Sequence, residues 1–224
     1  MTTTPNNTEQ LQEQVIQDTA EFVKSVLSTD TSGHDWWHIY RVVQMTERIT
    51  AIEGANRFVT VMAALLHDVA DEKLNPSKEI GMRKVTDWLD TQPIDVSDIE
   101  HIVEIIATMS YNGGNNPPVR TLEGQIVQDA DRLDAIGAIS IARVFVYSGH
   151  TGRPIHDPEI PVRTSMTPEQ YRNEKSTAIN HFHEKLLKLK DMINTPSARV
   201  IAEERHQYMQ EYVDRFYKEW NGEI

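Results

Sequence analysis

Cysteine is absent from this chain of 224 residues. Its absence excludes disulfide bonds and thiolate metal ligands, so any metal ion must be held by imidazole nitrogen or carboxylate oxygen. The absence also fits a reducing compartment. A chain of this length can still bury a hydrophobic core without disulfides or a structural metal.

The sequence also lacks a long hydrophobic run. Its most apolar stretch, residues 58–66, is too short to cross a bilayer. Residues 1–10 have neither the basic nor the apolar region of a signal peptide, and we expect them to form a flexible tail. These features predict a soluble, cytoplasmic protein with no membrane partner.

Positive charge is in short supply. The 34 acidic residues outnumber the 22 basic residues and give a formal net charge of -12. A protein that binds long nucleic acids usually presents a basic face, and no basic run occurs here. The composition therefore argues against a polynucleotide partner. A small phosphate ester could still bind through a metal ion and a few basic side chains.

Strand patterns are missing too, whereas helical periodicity covers most of the chain. Predicted helices cover about residues 9–28, 35–53, 56–70, 78–89 and 97–109, and 121–147 forms one long helix or two abutting helices. Two final helices open at Thr167-Pro168 and Thr195-Pro196 and end near Trp220. Gly54 suits a C-terminal cap, and Ser97 with Glu100 suits a capping box. We predict an all-α fold in a single domain, 1–224.

The dipeptide His67-Asp68 ends the most apolar of the predicted helices. An ionised carboxylate is costly to bury unless it is paired or coordinated, so an imidazole and a carboxylate at this point could share a cation. Taken alone, such a dipeptide is more often a histidine at a helix end beside a solvated aspartate. The remainder of the chain has to decide between these interpretations.

Two further regions carry possible metal ligands. Three acids, Asp129, Asp131 and Asp134, fall within six residues of a second apolar helix, where they need cations nearby. Arginines could neutralise one or two of them instead. His34 and His38 are four residues apart near the start of another helix, so either could face the same site.

Together these residues resemble the H…HD…D pattern of the HD-domain metal-dependent phosphohydrolase superfamily. The resemblance to one bacterial branch covers about residues 20–220, and the matching blocks are 34–38, 67–71, 128–138 and 185–189. It implies an HD-type helical bundle. It also implies that one metal ion is bound by His38, His67, Asp68 and Asp131, which leaves His34 as a neighbour or cap.

The resemblance also implies how many ions bind. Members with two metals carry additional histidines between the His-Asp pair and the last aspartate, where this chain has only His101, so we expect one ion. Imidazole and carboxylate ligands favour Mn²⁺, with Mg²⁺, Fe²⁺, Co²⁺ and Ni²⁺ as alternatives.

The expected reaction follows from the same resemblance. It is the hydrolysis of a nucleotide, a (deoxy)nucleoside triphosphate giving a monophosphate and pyrophosphate. A 5′-nucleotidase, an alarmone hydrolase and a nucleotide-sensing HD domain without activity are alternatives. A small-molecule nucleotide is thus the expected partner, and the protein is a monomer or a homodimer.

Further site residues are predicted around the metal. Asp71 or its neighbour Glu72 is the expected proton acceptor, although both could simply lie at an exposed helix end. The other expected catalytic residues are basic, and the expected substrate-binding residues lie mostly in later segments. These residues are Arg41 and Lys73 for catalysis, and Ser110, Arg132, Asp134 and Arg153 for substrate binding. Arg41, Lys73 and Arg132 could instead form structural salt bridges.

Overall fold

The computed structural model describes residues 7–28, 35–71, 74–109, 118–164, 167 and 175–224. Over these ranges the secondary structure is helical, and no strand occurs in them. The all-α prediction is confirmed. Contacts divide the chain into two compact units, Met1–Ser110 with Pro117–Gln128 and Tyr111–Asn116 with Asp129–Ile224. The single domain stays a prediction.

The first unit is arranged around one fully buried helix. Every residue from Phe58 to Leu66 of this helix, α3, is buried. A helix without a polar face must be covered on all sides, and α3 contacts the helices α1, α2 and α5. The elements of this unit are α1 (Asn7–Leu27), α2 (Trp36–Glu53), α3 (Arg57–Leu66), a 3₁₀ helix (His67–Ala70), α4 (Lys78–Asp90), α5 (Val96–Thr108) and the first part of α6 (Leu122–Asp134).

Local capping explains where α2 and α3 begin and end. The carboxylate of Asp35 accepts a hydrogen bond from the backbone amide of His38 at 3.0 Å, and Gly54 closes α2 with a left-handed φ of 78°. The side chain of Asn56 caps α3 in the same way. The predicted capping box at Ser97 is wrong, because α5 already begins at Val96 and its N-cap residue is Asp95.

The second unit holds the end of α6 and the later helices, α7 (Ala138–His150), α8 (Ala178–Glu184), a 3₁₀ helix (Leu186–Met192) and α9 (Pro196–Trp220). Gly137, with a φ of 95°, separates α6 from α7, so the segment forms two helices rather than one. The predicted start of the last helix at Thr195-Pro196 and its end at Trp220 are confirmed. Pro168 lies outside the described residues.

A partly buried ion pair connects Arg163 to Glu184 of α8. Arg163 donates from its backbone amide and from two guanidinium nitrogens to the carboxylate of Glu184, with a shortest distance of 2.6 Å. The hydroxyl of Ser176 donates to the same carboxylate.

Within the described ranges, no helix is long and apolar enough to cross a membrane.

The packing of α4 against the first 3₁₀ helix depends on Gly81. A Cβ atom at this position would lie 2.5 Å from the carbonyl oxygen of Ala70 and 2.8 Å from Nδ2 of Asn75. Both distances are too short for any side chain. The missing side chain therefore lets α4 approach the segment that directly follows His67 and Asp68.

Replacing Gly81 by alanine should destabilise the protein, although alanine is normally the better helix former. We expect a loss of about 1–3 kcal/mol, as for other overpacked sites. Gly149 in α7 is a matched control, because a Cβ there would meet nothing within 4 Å. Gly149→Ala should stabilise by about 0.5–1 kcal/mol. Denaturant unfolding measures the change in the free energy of unfolding for both variants. A change of the same sign in both would contradict the packing described here.

Candidate metal centre

Helix α3 delivers two of the predicted ligands at its C-terminal end. His67 follows the last residue of α3 directly, and Asp68 is the second residue of the 3₁₀ helix. Asp68 is only 5% exposed, and Val69 and Ala70 behind it are also buried. The change from α to 3₁₀ geometry occurs four residues before the predicted helix end, at the position where the candidate site begins.

The imidazole of His67 is oriented by the backbone of its own helix. Its Nδ1 lies 2.8 Å from the carbonyl oxygen of Ala64. A carbonyl oxygen can only accept a hydrogen bond, so Nδ1 carries the hydrogen. Nε2 then lies 3.4 Å from Oδ1 of Asp68. A histidine that binds a metal ion is commonly held in this way, with its other nitrogen bonded to a backbone carbonyl.

His38 approaches the same carboxylate from α2. It is the third residue of that helix, is 3% exposed, and places Nε2 3.5 Å from Oδ2 of Asp68. Its ring centroid is 5.4 Å from that of His67. The hydrogen bond from its own amide to Asp35 fixes the backbone at this point. The cap that starts α2 therefore also positions the candidate ligand.

The spacing of the three side chains fits a metal ion. One potential ligand atom from each of His38, His67 and Asp68 lies within 4.8 Å of the others. Two ligands about 2.1 Å from an ion and about 90–110° apart are about 3.0–3.4 Å from each other. Nε2 of His67 lies 3.4 Å from Oδ1 of Asp68 and Nε2 of His38 lies 3.5 Å from Oδ2, so each imidazole is close to that range from one of the two carboxylate oxygens. Two imidazoles and one carboxylate suit a divalent transition ion.

The three acids of α6 have different surroundings. Asp129 is fully buried and accepts four hydrogen bonds, two from Asn194 and two from Thr195, at the start of α9. Burial raises the pKa of its carboxyl group, and these donors oppose the rise. Asp134 is 5% exposed and accepts from Arg143 at 2.5 Å. Pairing with an arginine therefore accounts for one of the three acids, Asp134. Asp131 is half-buried.

The predicted substrate residues of the second unit already have contacts there. The carboxylate of Asp134 is paired with Arg143. Arg132 donates to the carbonyl of Met192. The guanidinium of Arg153 lies 5.7 Å from the ring centroid of Tyr147.

The remaining predicted residues belong to the first unit or lie outside the described ranges. Arg41 is half-buried, one turn after His38. Asp71 ends the 3₁₀ helix, and its amide donates to the carbonyl of Asp68 at 3.0 Å. The others fall outside the described residues: His34, Glu72, Lys73 and Ser110.

His101 takes no part in the candidate centre. Its Nε2 lies 3.0 Å from the hydroxyl of Thr121 and 3.9 Å from the carboxylate of Glu123. Among the described residues, His38, His67 and Asp68 form the one group of three side chains close enough to hold an ion. His101 therefore contacts residues at the start of α6 instead of the candidate centre.

Two residues beside the centre escaped the sequence analysis. Asn75 donates from its side chain to the carbonyls of Val69 and Asp71, and Gly81 makes room for it. Gly81 could have been recognised from the sequence, because a glycine inside a helical pattern often marks a place where another part of the backbone comes close. Asn75, in a turn, gave no signal of its own.

Comparisons with known proteins decide the family. The model of the HD domain matches residues 36–136 of this chain. An HD-superfamily hydrolase from Bacillus thuringiensis is 48% identical, with a TM-score of 0.76 over 94% of this chain and 98% of that chain. A protein from Lactobacillus plantarum is 43% identical, with a TM-score of 0.84 over 95% of this chain and 99% of that one. The chain belongs to the HD superfamily.

A third relative adds information on ligands. YpgQ of Bacillus subtilis is 37% identical over 203 residues, which cover 90% of this chain and 91% of YpgQ. Its crystal structure in complex with ADP matches with a TM-score of 0.73. HD-superfamily membership supports a metal-dependent hydrolase, and the group of His38, His67 and Asp68 fits a divalent metal ion. The predicted HD-type helical fold is confirmed.

Loss of one imidazole should remove the metal without unfolding the protein. We expect wild-type protein to bind one Mn²⁺ per chain, and His38→Gln to lose tight binding because one of the converging ligands is gone. His101→Gln is the matched control, since His101 contacts Thr121 and Glu123 instead. Calorimetric titration of the apoproteins with Mn²⁺ measures both. Native affinity in the His38 variant would refute the assignment.

Proposed function

We propose that this protein hydrolyses nucleotides with one divalent ion, converting (deoxy)nucleoside triphosphates into monophosphate and pyrophosphate. The observation that carries the proposal is the convergence of His38, His67 and Asp68, all nearly buried, within 4.8 Å. The ADP complex of YpgQ supports a nucleotide as the ligand, because that relative matches most of this chain. Mn²⁺ is the ion that we expect.

Asp131 completes the ligand set in this proposal. The resemblance of the sequence selects it, and the surroundings of its neighbours agree. Asp129 is held by four donors at the start of α9, and Asp134 is paired with Arg143. Asp131 lies within the region that the HD-domain model matches. The two imidazoles of His38 and His67 and the two carboxylates of Asp68 and Asp131 would then hold the ion, a ligand set that suits a divalent metal.

Asp131→Asn should weaken Mn²⁺ binding by more than about 100-fold, because loss of a group that merely supports a ligand already costs 10–100-fold. Asp134→Asn, one turn further along α6, is the control. It should lower the unfolding temperature by breaking the pair with Arg143 and leave the affinity for Mn²⁺ unchanged. If the two variants exchange these outcomes, the fourth ligand is Asp134.

The protein side chains divide the work of hydrolysis. When bound, the ion supplies positive charge at the phosphoryl group and makes water a stronger acid. Asp71 accepts the proton of the attacking water, with Glu72 as the alternative acceptor. Asp71 is half-buried and lies three residues beyond Asp68. Arg41 and Lys73 neutralise charge on the phosphate oxygens.

The resemblance to the bacterial branch favours attack at the α-phosphorus, and the leaving group is consistent with that choice. Pyrophosphate leaves readily when cations neutralise its charge, and Arg132 and Arg153 are the candidates for this role in the second unit. Ser110 is the candidate contact to the sugar or base. A nucleoside monophosphate has no pyrophosphate to release. A nucleotidase, which acts on monophosphates, is therefore the alternative that the experiment must distinguish from this proposal.

A panel of nucleotides with Mn²⁺ tests which bond breaks. Monophosphate and pyrophosphate should be the first products, and in ¹⁸O-labelled water the label should enter the monophosphate. Label in pyrophosphate, or inorganic phosphate as the first product, would contradict attack at the α-phosphorus and favour a phosphatase or nucleotidase. Tight nucleotide binding with bound metal and no turnover would favour a sensor.

A further inference from the structure

We propose that Asn75 is a positioning residue that holds the backbone of Asp71 beside the candidate metal centre. This inference rests on the proposed function, in which Asp71 accepts a proton. Asn75 belongs neither to the metal ligands nor to the residues that contact substrate. It would act on the reaction only through the place that it gives to Asp71.

The side chain of Asn75 bridges two carbonyl groups on either side of the end of the 3₁₀ helix. Its Nδ2 donates to the carbonyl of Val69 at 2.9 Å and to that of Asp71 at 2.8 Å. Asn75 is 8% exposed, so little water competes for these bonds. Both hydrogens of one amide group therefore tie the residue after Asp68 to the backbone of Asp71.

Asp71 needs such a restraint because the regular helix has ended. Its backbone is extended, with a φ of -65° and a ψ of 134°. Its amide donates to the carbonyl of Asp68, and its own carbonyl accepts from the amide of Leu74 at 3.1 Å as well as from Asn75. The side-chain bond therefore adds to the two backbone hydrogen bonds of Asp71. A fixed Cα position fixes the point from which the carboxylate of Asp71 extends.

The surroundings of Asn75 provide hydrogen-bond acceptors for its NH₂ group but no donor among the described residues for its oxygen. No described residue donates to its buried Oδ1. An unpaired buried acceptor is unfavourable, so a residue that only filled this space would not need one. Gly81 leaves the room that Nδ2 occupies, since a Cβ there would come within 2.8 Å of it. These features indicate that the two donated hydrogen bonds are the reason for asparagine here.

A purely structural role for Asn75 is the competing explanation, and Asn180 provides a matched control. Its Nδ2 also donates to a backbone carbonyl, that of Ile160, at 2.9 Å, and its side chain is 1% exposed. Loss of either amide removes the same kind of buried bond. Only the loss of Asn75 should affect the reaction in the way that loss of Asp71 does.

The test is a double-mutant cycle on the metal-loaded protein. Asn75→Ala should lower kcat about 10–100-fold, as expected when a reacting group is displaced by about 1 Å. Asp71→Asn should lower kcat about 10²–10⁴-fold if Asp71 transfers the proton. In the Asp71→Asn background, Asn75→Ala should have almost no further effect, because residues that act as one unit are not additive. Mn²⁺ affinity should not change, and Asn180→Ala should lose stability while keeping kcat.

Amide hydrogen exchange gives a second readout that needs no activity. Exchange at Asp71 and Leu74 should accelerate in Asn75→Ala and stay unchanged in Asn180→Ala. Should the alanine variant not fold, Asn75→Ser, which keeps one donor, should show an intermediate effect on both readouts. Unchanged exchange, or multiplicative losses of kcat in the double variant, would overturn the proposal. A wild-type rate in Asp71→Asn would instead refute the role of Asp71 in the proposed function, while faster exchange would still support the tether.

Discussion

Burial of the Asp68 carboxylate imposes the constraint on which the candidate centre depends. The side chain is 5% exposed at the end of a helix whose residues from Phe58 to Leu66 are all buried. Removing a carboxylate from water costs several kcal/mol unless opposite charge offsets it. The Nε2 atoms of His38 and His67 face its two oxygens, so three groups that can bind a metal ion lie together at this point. A divalent ion in contact with all three side chains would offset the cost of burial, so the apolar helix that forms the core also places the carboxylate where a metal ion would stabilise it.

The ends of helices give the candidate centre its geometry. His38 lies in the first turn of α2, Asp68 lies just beyond α3, and Asp71 lies where the 3₁₀ helix stops. At two of these ends the backbone is held by a side chain, as Asp35 holds the amide of His38 and Asn75 holds the carbonyl of Asp71. His38 and Asp68 therefore meet at the ends of two helices that pack against each other.

Much of this arrangement could be predicted from sequence because its causes are local. An apolar helix that ends in His67-Asp68 places a carboxylate at the edge of the core, and the cap at Gly54 needs only its neighbours. The capping box at Ser97 failed because Asp95, two residues earlier, is the N-cap residue of α5. Local patterns can offer two starts to a helix, and tertiary packing selects one.

Other parts depend on residues far apart in the chain. The sequence alone could not predict that Asp129, unlike its neighbouring acids, accepts hydrogen bonds from Asn194 and Thr195. These donors are 65 and 66 residues away along the chain. The role of Asn75 likewise depends on the room left by Gly81 on the next helix. Such contacts have no periodic pattern, so only the structure reveals them.

The central claim is that His38, His67 and Asp68 hold one ion, and anomalous scattering tests it most directly. Crystals grown with Mn²⁺ should show a single strong anomalous peak per chain, about 2.1 Å from Nε2 of each histidine and from an oxygen of Asp68. The same map calculated for the Asp68→Asn variant should lack the peak. A strong peak elsewhere, or none at these three side chains in the wild-type protein, would contradict the account.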